Sequence, residues 1–252
     1  MIRRAFALTF AAIVIAALPA AASAAQRTAS ATGIAKVRGA TALVEVYVQV
    51  QPGETAREAT AEALAEQGAQ RVAPPTSGGP GFTGLVWDVL PVVQSYNPTG
   101  ELVAAQSLLE ATQATWSSVP GSDFAMTSGG TTMRCPSIVQ ECPGPQQIDG
   151  FNDVGWARLS RGVLGVTWSV ISGTDEADMA LSTRVPWHTG CTDVANSFDT
   201  QTVLLHENGH VAGLGHASNT ASVMYPFYQG ARCTLDSLDE QARIRREPTG
   251  SM

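Results

Sequence analysis

His206, Glu207, His210 and His216 are the residues whose types and spacing could do chemistry together. They lie in the run Val203-Leu204-Leu205-His206-Glu207-Asn208-Gly209-His210-Val211-Ala212-Gly213-Leu214-Gly215-His216. On a helix with about 3.6 residues per turn, the His206–His210 spacing puts both imidazoles on one face, with Glu207 beside them. Gly213 can take a positive φ and end the helix, so the chain turns back and His216 can approach as a third nitrogen ligand. Three protein ligands with one open position is the arrangement of catalytic zinc. Zinc so held lowers the pKa of its bound water to about 7 and polarises a carbonyl. Glu207 sits where it can take the water's proton and later pass it to a leaving amine. The chemistry this predicts is metal-assisted hydrolysis of a peptide bond, without a covalent intermediate. His188 stands apart from the cluster, and without partners it reads as a surface residue.

Several elements must position these residues. Asp199 fits the N-cap of the histidine helix, with Phe198 and Val203 as its hydrophobic staple. From residue 82 onward the pattern is α+β. Residues 85–95 read as a strand interrupted by Pro91. Residues 101–117 read as a helix with Leu102, Ala105, Leu109, Thr112 and Trp116 on one face. Residues 154–157, 163–168 and 179–181 read as short strands, with Trp168 and Trp187 as packing residues. Before this region, Val44, Val46, Val48 and Val50 alternate with Glu45, Tyr47 and Gln49, which predicts a half-buried strand. Pro52-Gly53 is a turn, and residues 54–67 form a helix with Gly68 just past its end. Residues 73–81 have the composition of a linker. The division is therefore 1–24, 25–81 and 82–252, with 25–81 either a pro-segment or a small region that stays attached.

Residues 1–24 read as a signal peptide: Arg3 and Arg4 precede an apolar run, Pro19 ends it, and Ala22-Ser23-Ala24 is a small-residue cleavage site. The run is short for a bilayer span, and an uncleaved N-terminal anchor is the other reading. An exported chain without stable membrane association follows. The four cysteines, Cys135, Cys142, Cys191 and Cys233, suit two disulfides in such a chain. Cys135–Cys142 with Cys191–Cys233 is the favoured pairing, and a four-cysteine zinc site is the rival. In 252 residues, 44% are hydrophobic and the net charge is −7, with Lys36 the lone lysine, so nucleic acid and anionic membranes are poor partners.

The motif His206-Glu207-x-x-His210-x-x-Gly213-x-x-His216, followed by Ser222-Val223-Met224-Tyr225-Pro226, resembles the metzincin zinc peptidases. Met224-Tyr225-Pro226 is similar to the matrixin branch, the matrix-metalloproteinase relatives. Ala114-Thr115-Trp116-Ser117, Glu176-Ala177-Asp178-Met179-Ala180-Leu181, Phe198-Asp199-Thr200-Gln201-Thr202 and Leu238-Asp239 also look matrixin-like. The resemblance spans about residues 82–247. It implies a twisted mixed sheet, a zinc-binding helix and a C-terminal subdomain carrying a Met-turn. Met224 would floor the three histidines. Pro226 and Tyr228 would wall the S1′ pocket, which takes the side chain just after the scissile bond. The strand at 163–168 would be a sheet edge on which an extended peptide pairs. Asp239 would anchor the C-terminal helix near the Met-turn, or act as a helix-start carboxylate.

The function implied is a secreted, extracellular zinc endopeptidase acting on protein or peptide substrates as a monomer. The alternatives are a catalytically silent or latent metzincin-fold binding protein, or a narrow-specificity processing protease. Structural calcium is typical of the family. Asp149, Asn152 and Asp153 offer oxygen ligands, with an ordinary turn as the other reading. The family's second, structural zinc would lack its histidines here. With no cysteine before Cys135, any latency must work without a thiol on the zinc. Asn208 stands where relatives usually carry an apolar residue.

Overall fold

The computed structural model describes residues 27–37, 39–72, 80–136, 148–172 and 175–245. The signal-peptide reading, Cys142 and most of the linker lie outside the described residues. β1 (Thr28–Val37) and β2 (Ala40–Gln49) form an antiparallel hairpin. α1 (Ala56–Glu66) begins at a capping box, in which the Thr55 hydroxyl accepts from the Glu58 N–H and the Glu58 carboxylate accepts from the Thr55 N–H. β3 (Gln70–Arg71) returns along β1. β4 (Val92–Tyr96), α2 (Gln106–Ser117), β5 (Met126–Thr131), β6 (Asn152–Ala157), β7 (Val163–Ser172) and β8 (Ala177–Ser182) follow. β9 (Trp187–His188) and β10 (Phe198–Asp199) make a small parallel pair before α3 (Thr200–Val211), and α4 (Ser237–Arg245) comes last.

The architecture is mixed α+β, built on one eight-stranded sheet in the order β3-β1-β2-β7-β8-β6-β4-β5. The β1–β2, β2–β7 and β7–β8 pairs are antiparallel, and β8–β6, β6–β4 and β4–β5 are parallel. The sheet separates two cores. α2 and α3 cover one face through Leu109, Trp116, Leu204 and Leu205, and α1 covers the other through Ala59, Ala63 and Leu64.

Four expectations change. The strand expected at 85–95 begins only at Val92, because Pro91 has no N–H to give a ladder; the Val92 N–H bonds the Ala125 carbonyl at 2.8 Å. The helix expected from 101 begins at Gln106. Residues 98–101 close a turn, Glu101 accepts from the Tyr96 hydroxyl at 2.7 Å, and Leu102 is exposed. The strand carrying Val44 is buried on both faces, since it lies inside the sheet between β1 and β7. The strand expected as an open edge, β7, is interior for the same reason. β2 pairs with it from Thr41↔Ser172 to Val48↔Val163.

Candidate metal centre

α3 carries the histidines, and nearly every side chain on it is buried. Its start is held by Asp199, whose Oδ1 accepts from the Thr202 N–H at 2.8 Å and the Thr202 hydroxyl at 2.7 Å. α2 grips the middle. The Trp116 indole N–H donates to the Leu205 carbonyl at 2.9 Å, and the Asn208 amide donates to the Thr112 hydroxyl at 2.8 Å. Asn208 therefore has a polar partner on α2 where an apolar residue would have only packing. Gly209 is required by close approach: a Cβ there would lie 2.1 Å from the Met224 sulfur and 2.9 Å from the Trp116 ring. Gly213, at φ +83°, ends the helix and turns the chain toward His216. Residues 80–82 pass beside this turn, where the Gly215 N–H donates to the Gly81 carbonyl at 2.8 Å.

His206, His210 and His216 converge, each offering a ring nitrogen within 4.8 Å of the others. His206 Nδ1 faces the Val223 carbonyl and His210 Nδ1 the Leu214 carbonyl, both at 2.8 Å. A carbonyl accepts only, so each Nδ1 carries the proton and each Nε2 keeps a lone pair. Those two Nε2 atoms lie 3.2 Å apart, and His216 Nε2 is buried without a hydrogen-bond partner. Burial pushes the His206 pKa down to about 4. Burial, then the neighbouring histidines, lowers His210 and His216 as well. Three neutral, convergent imidazoles fit a divalent metal of borderline softness, zinc above all.

Glu207 is 1% exposed, and its carboxylate accepts from the Thr167 hydroxyl of β7. Burial raises its pKa to about 8 against the lowering effect of that hydrogen bond. Gly165, also on β7, leaves room for it: a Cβ there would meet Glu207 Oε1 at 2.8 Å. Met224 is fully buried beneath α3. Its turn is clamped by Asp239, which accepts from the Ser222 hydroxyl, from the Val223 N–H at 2.9 Å and from the Asp236 N–H at 3.0 Å. The expected anchoring role of Asp239 thus has specific atoms. Cys191 and Cys233 are disulfide-bonded, with Cα atoms 6.1 Å apart, beside the α3 N-terminus; Cys135 is also in a disulfide.

Tyr228 accepts from the Asp199 N–H at 3.1 Å, and Pro226 lines a cavity of about 320 Å³ together with His216. His188 is half-buried, and both its ring nitrogens are hydrogen-bonded, to the Ser197 hydroxyl and the Thr192 carbonyl. The proposed calcium oxygens have protein partners. Arg134 forks onto both Asp153 oxygens at 2.9 and 3.0 Å, Asn152 accepts from the Ala177 N–H, and Asp149 accepts from the Phe151 N–H.

Two site neighbours escaped the sequence reading. Glu45 and Tyr47 on β2 read as the outward residues of a half-buried strand, yet they are 1% and 3% exposed and face the histidines. Glu45 Oε1 lies 3.8 Å from His210 Nδ1, and its Oε2 lies 3.8 Å from His216 Nδ1. Burial, opposed by a hydrogen bond from Thr32 and reinforced by Glu207, raises the Glu45 pKa. The Tyr47 ring packs at a tilt against His206 with centroids 4.8 Å apart. The local signal was an alternation that says which residues share a face, not what that face meets.

Comparison with known proteins gives the same direction. A model of the matrixin family matches residues 153–244. Over 146 residues the chain is 28% identical to Matrix metalloproteinase-25 of Mus musculus, covering 58% of this chain and 22% of that protein. Over 44 residues it is 41% identical to a Putative matrix metalloproteinase of Trichoplusia ni ascovirus 2c, covering 18% of this chain and 9% of that protein. The chain thus spans only a small part of the length of either relative.

Proposed function

We propose, from the premise that this chain carries a matrixin-like catalytic domain, that it is a zinc-dependent endopeptidase with Glu207 as general base. The observation that carries this reading is the convergence of three neutral imidazoles, one with an unpartnered Nε2, beside a buried carboxylate. His206, His210 and His216 would hold the zinc. When bound, zinc supplies Lewis acidity toward a carbonyl oxygen and acidifies a water. Glu207 accepts the attacking water's proton at its carboxylate and delivers it to the departing amine nitrogen. The Thr167 hydroxyl fixes the carboxylate's rotamer, and Gly165 leaves the space it occupies. The Val223 and Leu214 carbonyls orient two of the three imidazoles. Met224 supports the ligands from below as packing, not as a ligand.

The signal-peptide reading of residues 1–24 supports export. Among the described residues, no helix is long and apolar enough to cross a membrane. Protein or peptide substrates follow from the same reading.

The test is zinc content together with cleavage of casein, comparing the wild type with Glu207→Ala. We expect one zinc bound by each form and a fall in cleavage on the order of 10²–10⁴ in the variant. Correctly folded protein that takes up no stoichiometric zinc overturns the reading.

A further inference from the structure

We propose that Arg232 is a specificity-determining residue. It selects substrates with tyrosine or glutamate just after the scissile bond, side chains that end in an oxygen acceptor. The proposal rests on the zinc-endopeptidase reading above and names the substrate class of that site.

Arg232 shares a cleft with the metal centre. Thr202, His206, Val223, Tyr225, Tyr228 and Arg232 are among the residues that line it. An imidazole of the histidine cluster and a guanidinium therefore border one space, between largely apolar walls.

The guanidinium is fixed in place but unpaired. The Arg232 N–H donates to the Thr202 hydroxyl of α3 at 2.8 Å, and its Nη1 donates to the Ser222 carbonyl at 3.3 Å. The next residue, Cys233, is disulfide-bonded to Cys191. Among the described residues no carboxylate forms an ion pair with Arg232, whereas Arg134 has Asp153. Arg232 is half-buried, and a single carbonyl leaves most of its donors open. A cation held so, partly out of water and without a counter-charge, favours any acceptor brought to it, and charge-assisted hydrogen bonds are the strong ones.

The cleft also shows what size of group it takes. The Tyr47 ring packs at a tilt against His206 there, and its phenol lies where the Arg232 charge acts on it. A side chain as long as tyrosine, with an oxygen at its tip, is thus accommodated beside the histidines. A carboxylate tip adds charge attraction. A wholly apolar side chain in the same place strips water from the guanidinium and returns no hydrogen bond. Sites that present a buried polar group discriminate strongly against the analogue that cannot meet it.

Two measurements on the full chain test this. The first needs neither metal nor catalysis. Tyr47→Ala vacates the place of the ring, and p-cresol and toluene, which differ only in the hydroxyl, are the probes. We expect p-cresol to bind about ten-fold or more tightly than toluene. The Thr28 hydroxyl also bonds the Tyr47 phenol, so Arg232→Met in the same background isolates the guanidinium and should remove most of the difference. An unchanged preference for p-cresol in that variant overturns the proposal and leaves the three-histidine reading standing.

The second compares zinc-loaded wild type and Arg232→Met on peptides that differ only after the scissile bond. In the wild type, kcat/KM should favour tyrosine over phenylalanine and glutamate over leucine by roughly ten-fold, and Arg232→Met should lose both preferences. Cleavage that favours phenylalanine and leucine in both forms overturns the selectivity and leaves the endopeptidase reading standing. Zinc-loaded wild type that cleaves none of the peptides overturns the endopeptidase reading and the substrate assignment with it.

Discussion

On the α3 face of the sheet the buried side chains are large: Trp116, Tyr96, Phe198, Leu204, Leu205, Met179 and Met224. On the α1 face they are mostly small: Ala29, Ala31, Ala35, Ala42, Ala59, Ala63, Val44, Val46 and Val48. Apolar burial is worth about 25 cal/mol per Å², so a core of alanine and valine holds its layer less strongly than one of tryptophan and leucine. The layer that must keep three imidazoles and a carboxylate in register has the heavy packing. The layer that covers β7 has the lighter packing and leans on backbone ladders.

The contrast can be sharpened first by charge, where the largest effect is expected. Glu207 has its pKa raised from 4.5 to about 8 by burial. Its folded form binds the proton more tightly than its unfolded form. The stability tied to this proton is complete below about pH 4.5 and lost as pH rises toward 8. In the metal-free chain, Glu207→Gln should therefore gain on the wild type across that window, by roughly 4 kcal/mol at the top. Urea unfolding at pH 5 and pH 9 measures it, and a constant difference between the two would contradict the prediction.

The same substitution on the two faces gives the next comparison. Gly209→Ala drives a Cβ into the Met224 sulfur and the Trp116 ring, groups hemmed in on the dense side. A loss of about 3 kcal/mol is expected, with weakened zinc retention, because the Met-turn must shift. Gly33→Ala on β1 meets Leu64 Cδ2 at 2.8 Å, the far end of a side chain, with Ala69 Cβ at 3.0 Å and the Gln70 carbonyl oxygen at 3.2 Å giving by a few tenths of an ångström. About 1 kcal/mol or less is expected there, partly offset by the gain in strand preference over glycine. Denaturant midpoints of the two variants decide it. Equal losses would mean the two cores yield alike, and the contrast would fail.

Much of the site could be read directly from the chain, because its chemistry is local. His206 and His210 share a helix face by spacing alone, Asp199 caps that helix, Gly213 ends it, and Met224 follows at short range. α1 was legible for the same reason: its capping box and Gly68 mark both ends. Where local rules were overridden, a specific side-chain partner outside the helical or turn pattern was responsible. Glu101 left its expected helix for the Tyr96 hydroxyl, and Asp153 turned from a candidate calcium ligand into one half of an Arg134 ion pair.

The sequence alone determined which residues converge as the candidate metal site, since a helical repeat and a glycine turn need only neighbours within a few positions. It also determined that Glu45 and Tyr47 lie on one face of a strand, since that follows from a period of two. Only the tertiary structure decided that this face looks onto the histidines. Strand period sets which side chains travel together, whereas the neighbour a strand takes depends on long-range pairing. Here β2 lies against β7, more than a hundred residues away along the chain, a choice no local pattern encodes.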